Sequence, residues 1–392
     1  MTAPDGIARF LADVDALPDG WKGAFEGVDR ADFAPDRIWA WDGSQYTTVI
    51  DRTQTGSHGR DTWDEAVQGN NALVTQWDDG NHTGDEPGNN PSSSASMPSA
   101  VASMLGDLDI TGGENVLEVG TGTGYTAALL AARGCRVTTI ELDTDLAEQA
   151  RKNLAQAGHQ DVIVVTGDGT LGHSEHGPYD RVHVTAGVRH TPAAWIEQTR
   201  PGGVIVMPWG TDYSTYDWTA ALTVTDPGRA SGPFTTPLAF MKLRSQRARY
   251  PKSPFPSDWT ATARMSEPDI DITDITGALY EPAEFVIGLH VPHCVPRLVH
   301  GAESTNLWLY GADTGRGPSI AVAAFGDGYD PQAREAGPRH LWAEVQAAYH
   351  RWDDAGKPNT DRFGLTVTVD EDGRVEQRPW YETPDRELPF RH

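Results

Sequence analysis

The chain has 392 residues, 38% of them apolar, with 56 acidic against 31 basic side chains, a formal net charge of −25. That length supports one large or two ordinary domains, and so acidic a surface repels a phosphate backbone, which excludes nucleic acid as an expected partner. Two cysteines, Cys135 and Cys294, are too few for a disulfide framework and fit a reducing cytoplasm; no apolar run reaches the ~18 residues of a membrane helix, and the opening "MTAPDGIARFLADVDALPDG" lacks the pattern of an export signal.

In chain order, the polar stretch 78–96, "DDGNHTGDEPGNNPSSSAS", reads as an exposed, mobile loop. It leads into an expected helix from Pro98 to Leu108. Apolar and helical runs then alternate, with strands at 115–120, 136–141, 161–166, 181–185 and 203–208 and helices at 124–133, 144–157 and 192–200. This alternation predicts an α/β fold with a parallel sheet. "RYPKSPFPSDW" carries three prolines and marks a boundary. Beyond it we expect strands at 284–291, 305–311 and 319–325, an amphipathic helix with Leu341, Val345, Ala348, Tyr349 and Trp352 on one face, and a hairpin turning near Asp372 and Gly373. Two units follow: residues 1–246, with an amino-terminal segment 1–95 and a Rossmann-like core 96–246, and an α+β extension over 247–392.

"NVLEVGTGTGYTAALLAARGCRVTTIELD" (115–143) is a strand, a glycine-rich turn, a helix and a second strand ending in acid. Gly120, Gly122 and Gly124 are spaced G-x-G-x-G, and Tyr125 stands where a dinucleotide fingerprint needs its third glycine. Three acids refine the choice of ligand. Glu118 would repel a pyrophosphate yet suits an ammonium, Glu141 suits ribose hydroxyls, and Asp168, in "VVTGDGT", suits an adenine amine. The helix start after Gly124 suits a carboxylate. Together these residues fit S-adenosylmethionine, with Thr121, Thr123, Leu142, Gly167 and Gly169 completing the expected cofactor-binding set.

"NVLEVGTGTGYTAALLA", "VVTGDGT", "YDRVHVTAGV" and "RPGGVIVMPWG" resemble, in order, the blocks of the protein-L-isoaspartate O-methyltransferase family. "AFEGVDRADFAPDRIW" (24–39) and "AFMKLRSQ" (239–246) extend the likeness. The resemblance implies a Rossmann-like S-adenosylmethionine-dependent methyltransferase fold and carboxyl O-methylation of a peptide. The family's Thr-Ile-Ser hallmark is carried by "SASMPS", which implies Ser96, with Ser94, as the active-site hydroxyls and as further cofactor contacts. Ala95 replaces the hallmark isoleucine, the preceding loop is long, and about 145 residues follow the core. With "LWAEVQAAYHRW" and "DRFGLTVTVDEDG", the chain resembles a branch encoded beside ribosomal peptide precursors. That likeness implies an ordinary aspartate in a modified precursor peptide as acceptor, converted through its methyl ester to aspartimide or isoaspartate. The tail, which the methyl-transfer chemistry does not require, is expected to enlarge the acceptor surface, with covering apolar surface of the core as its rival role.

A carboxylate with a pKa near ~3.9 is already ionised at neutral pH, so orientation rather than a strong base is needed. Serine hydroxyls can donate to it without protonating it. A rival reading has Ser96 capping the helix that starts near Pro98. Competing functions are isoaspartyl damage repair and a non-catalytic peptide-binding scaffold. "GLHVPHC" groups His290, His293 and Cys294, but with no fourth ligand evident no metal is expected. Arg181, His183 and Arg189 offer contacts to an acidic substrate, with simple surface placement as the alternative, and the tryptophans, Trp77, Trp209, Trp342, Trp352 and Trp380 among them, are mostly core, with a peptide groove as a role for some.

Overall fold

The computed structural model describes residues 6–392 except 57–58, 248–254, 277–279, 302, 314, 327–330, 387 and 389–392. The chain opens with helices Gly6–Asp13 and Lys22–Gly27 and a small antiparallel sheet of β1 (Arg37–Ala40), β2 (Ile50–Asp51), β3 (Leu73–Trp77) and β4 (Pro91–Ala95), in the order β2-β1-β3-β4. The stretch 78–96 is therefore a loop only in part. Its serine run pairs with β3, Trp77 opposite Pro91, Val74 opposite Ser94 and Leu73 opposite Ala95. A Pro-Ser run has no apolar alternation, so periodicity gives no strand signal there; the apolar template is "LVTQW" on β3.

Helix Pro98–Asp107 leads to the central sheet: β5 (Asn115–Val119), β6 (Arg136–Glu141), β7 (Ile163–Thr166), β8 (Tyr179–Val184), β9 (Thr199–Trp209), β10 (Asp217–Asp226) and β11 (Arg229–Leu238). β5 pairs in parallel with β6 on one side and β8 on the other, so the strand order reverses around it. In an open α/β sheet the crevice at the carboxyl ends of such strands is where ligands bind. The fold is mixed α/β of the Rossmann-like class, as the alternation predicts.

The tail holds β12 (Arg264–Ser266), β13 (Cys294–His300), β14 (Ser304–Gly311), β15 (Ser319–Gly326) and β16 (Gln332–Ala336), in the antiparallel order β12-β16-β15-β14-β13, then helix Leu341–Asp354. Residues 284–291, expected as a strand, lie in helix Pro282–His290 and the residue after it. Proline at its first turn starts the helix. Six of its nine residues are buried, five of them the continuous apolar run 285–289, which periodicity cannot distinguish from a core strand. The final hairpin, β17 (Phe363–Val369) and β18 (Val375–Tyr381), returns to the central sheet, where β17 pairs with β11. The expected division at 246/247 is thus crossed by one sheet. It is also crossed by one core, in which Phe285 of the tail packs 4.5 Å from Trp218 and 4.9 Å from Phe234. Most of the proline-rich boundary motif falls outside the described residues. The five tryptophans named above are buried, and no described helix is long and apolar enough to cross a membrane.

Candidate active site

The glycine turn follows β5 at the reversal point. Gly120, Gly122 and Gly124 have φ of +98°, +53° and +92°, a backbone that side-chain-bearing residues rarely adopt. Gly120 is also hemmed in: a Cβ there would stand 2.5 Å from Thr185 Oγ1. Thr185 follows β8, and its hydroxyl donates to the carbonyls of Gly120 and Val119. At Gly122 a Cβ would meet the Ser94 carbonyl oxygen at 3.6 Å and Ser93 Oγ at 3.8 Å. The serine strand therefore lies on the glycine turn, and two sequence signals some 25 residues apart become one site.

Arg30 holds that strand. The side chain is 1% exposed and donates to five backbone carbonyls: Val67, Gly69 and Asn71 before β3, and Ala95 and Ser96 at the end of β4. Burial lowers its pKa to about 10, so the guanidinium stays charged at neutral pH. Ser96 does not cap the helix. The cap position is Met97, with no side-chain capping bond, and Asn70 Oδ1 accepts instead from the Ser99 N–H at 2.9 Å. The serine hydroxyls of 94 and 96 are left without a capping role.

The acids fall into three situations. Glu141, at the end of β6, accepts from the backbone N–H of Gly122 at 2.9 Å and of Asp143 at 3.0 Å, bracing the turn. Asp168 is exposed and accepts from Thr170 N and Oγ1 at 2.9 and 2.8 Å. Leu142 is 48% exposed, and nothing lies within 4 Å of where a Gly167 Cβ would be. Gly169 is different, since a Cβ there would sit 2.5 Å from Val119 Cγ1. Glu118 departs from the expected ammonium contact: it has no exposed surface and lies beneath the turn. Its Oε2 accepts the Thr139 hydroxyl at 2.6 Å, and Thr139 Oγ1 is 2.7 Å from Thr121 Oγ1. Burial pushes the Glu118 carboxyl up to about 8 and the His183 imidazole, 3.9 Å away, down to about 3. Near pH 7 the acid is mostly protonated and the imidazole neutral, so the two are not an ion pair. Thr123 is buried, and its carbonyl accepts from Asn153 at 3.0 Å.

The segment after β11 closes over this end of the sheet. The Gly187 N–H donates to the Met241 carbonyl at 2.8 Å, and the Leu243 N–H to Gly187 at 3.0 Å. Arg244 bridges Asp143 and Asp79, each at 3.0 Å, and Arg247 grips Asp79 through both terminal nitrogens. Arg181 and His183, read as substrate contacts, are buried, and Arg181 is spent on the carbonyls of Leu108, Asp109 and Asp180. Arg189 pairs with Asp212 at 3.2 Å. His290 ends a helix, His293 sits in a turn at φ +58° and Cys294 is buried in β13; no group of three metal-ligating side chains occurs among the described residues. Sequence reasoning missed Arg30, Thr139, Thr185 and Arg244, which act by tertiary contact and leave no local pattern.

Comparison with known proteins places this geometry. Residues 85–224 match the family model described as protein-L-isoaspartate(D-aspartate) O-methyltransferase. A protein-L-isoaspartate O-methyltransferase of Methanococcus maripaludis strain C6 is 43% identical over 118 residues, 29% of this chain and 56% of that protein. One from Thermococcus sibiricus is 48% identical over 117 residues, 29% of this chain and 53% of its own length. The chain thus spans about half the length of the curated relatives it matches. A solved protein-L-isoaspartate O-methyltransferase aligns over 95% of this chain and 98% of its own at 19% identity with a TM-score of 0.52, a likeness of fold that includes the tail. Residues 85–224, from the loop before the serine strand to β10, are therefore the part of the chain that matches the protein-L-isoaspartate(D-aspartate) O-methyltransferase family.

Proposed function

We propose that this protein is an S-adenosylmethionine-dependent carboxyl O-methyltransferase acting on an aspartyl side chain in a peptide. The observation that carries the reading is the seating of β4 on the glycine turn, which sets the Ser94 carbonyl and the Ser93 hydroxyl beside the place where the donor would lie, with the Ser94 and Ser96 hydroxyls on the same short segment. The residues suit that donor. The turn opens towards a helix amino end, Glu141 and Asp168 stand at the carboxyl ends of β6 and β7, and the exposed Leu142 and open Gly167 leave room for a flat base. When bound, S-adenosylmethionine supplies a methyl group on a sulfonium leaving group. The chain's own task is to hold the acceptor carboxylate in line. Ser94 and Ser96 donate to one carboxylate oxygen and leave the other free to attack. With the donor bound, the carboxylate oxygen would take the methyl carbon and the electron pair of the S–C bond would leave on sulfur, so the chain need only orient the acceptor. The next backbone nitrogen of the peptide then closes a succinimide and expels methanol.

For the acceptor we propose an ordinary aspartate of a modified ribosomal precursor peptide, with the tail enlarging the recognition surface. The long β3–β4 excursion supports this, since it is not needed to hold donor or carboxylate. The second reading, repair of isoaspartyl residues in damaged proteins, is favoured by the names of the curated relatives. In either case a Ser96→Ala variant is expected to lose about tenfold or more in kcat for methyl transfer, with calorimetric affinity for S-adenosylhomocysteine within a few-fold of the parent. Intact turnover in a folded Ser96→Ala protein would remove Ser96 from the mechanism.

A further inference from the structure

The β3–β4 excursion does more than lengthen a loop. Its return limb lies against the small sheet and is tied at both ends. The Val49 N–H and the Trp39 indole donate to the Asp85 carbonyl at 2.8 and 2.9 Å, while Asp78 accepts from the N–H groups of Asn89 and Asn90 at 3.1 and 2.8 Å. Gly88 permits the close approach, since a Cβ there would fall 2.7 Å from Trp77 Cβ. Between this limb and the sheet is a hollow of about 440 Å³, walled by Tyr46, Thr47, Trp77, Pro87 and Pro91, in which Glu86 is the one charged residue. Rings line up at its wall edge to face: Tyr46 lies 5.1 Å from Trp77 at 88° and 5.0 Å from Trp41 at 71°, and Trp41 is 43% exposed.

The hollow faces the same way as the candidate acceptor site. Val74 packs with Trp39, Val49 and Trp77 on one side of the small sheet, whereas Leu73 and Ala95 pack on the other. Ser94 stands opposite Val74 in the register, so strand alternation puts its side chain on the aromatic side. From Pro91 to Ser94 is three residues, at most about 10 Å at ~3.3 Å per residue because the register shifts between Gln76 and Trp77, and a peptide following the same irregular path covers that span in the same number of residues.

We propose that this hollow is a subsite for an aromatic side chain of the peptide acceptor, about three residues from the aspartyl carboxylate that Ser94 and Ser96 orient. The inference rests on the peptide-acceptor reading. A ring entering here extends the edge-to-face series with Tyr46 and Trp77, the volume lies within the range of small-ligand sites, and the lone Glu86 disfavours an acidic occupant.

The test uses short synthetic peptides with one aspartate or isoaspartate in a glycine–alanine background and a single phenylalanine moved position by position. Peptide affinity for the S-adenosylhomocysteine-loaded protein is measured by calorimetry, and methyl transfer is measured separately. Phenylalanine about three positions from the acid is expected to tighten binding about tenfold over alanine, and Tyr46→Ala is expected to erase the difference while leaving cofactor affinity unchanged. Tyr46→Leu, which keeps apolar volume but removes the ring, provides the same readout if the alanine variant fails to fold. A flat scan, or a preference that survives loss of the Tyr46 ring, overturns the subsite. Ring-dependent binding without transfer to any peptide would keep the subsite and sink the methyltransferase reading.

Discussion

A Gly120→Val variant is expected to lose measurable S-adenosylmethionine binding in calorimetry and to melt at a lower temperature than the parent. Positive φ alone costs a side-chain-bearing residue roughly 1–2 kcal/mol, more for a β-branched one. The added carbon would also stand 2.5 Å from Thr185 Oγ1, so relief requires that hydroxyl to swing away and give up its bonds to the Gly120 and Val119 carbonyls, which tie β5 to β8 beside the turn. Gly122 makes the contrast. Its φ is also positive, but a Cβ there has 3.6 Å or more of clearance, so Gly122→Ala should weaken the cofactor less. Affinity within a few-fold of the parent in Gly120→Val would show that this turn does not hold the cofactor.

Arg30→Met is expected to cost about 3–5 kcal/mol in urea unfolding. The variant keeps much of the side-chain volume and removes the donors for five carbonyls. Two of these, Ala95 and Ser96, belong to the serine segment, so whatever folded protein remains should also turn over poorly. Arg30→Lys should fall between, because one ammonium cannot reach acceptors fanned around a planar guanidinium. A loss under ~1 kcal/mol would mean that those carbonyls find water and that Arg30 is not what fixes β4.

The parallel half of the central sheet was legible because each strand is a short apolar run and each turn is punctuated by glycine or acid, as in "NVLEVGTGTGY". The glycine turn was legible for a second reason, namely that its glycines are required by backbone angle. The serine strand was not, because its pairing comes from β3 and its position from Arg30, 65 residues away. Glu118 shows the limit of spacing arguments. Its place before the glycines is as expected, yet its neighbours across the sheet, Thr139 and His183, turn it into a buried acid. The tail hid two features: helix Pro282–His290, whose residues 285–289 are buried without a break, and the return of Phe363–Tyr381 to the central sheet, a long-range pairing that no local signal announces.

The most direct measurement is transfer of an isotopically labelled methyl group from S-adenosylmethionine to a panel of short peptides carrying either aspartate or isoaspartate, with the site read by tandem mass spectrometry. The account predicts label on a single side-chain carboxyl, as an ester lost as methanol on mild base treatment, with hydroxylamine trapping the succinimide left behind. Transfer to aspartate favours tailoring of a peptide, and transfer confined to isoaspartate favours repair. No transfer to either, or a base-stable label on nitrogen or sulfur, would contradict it.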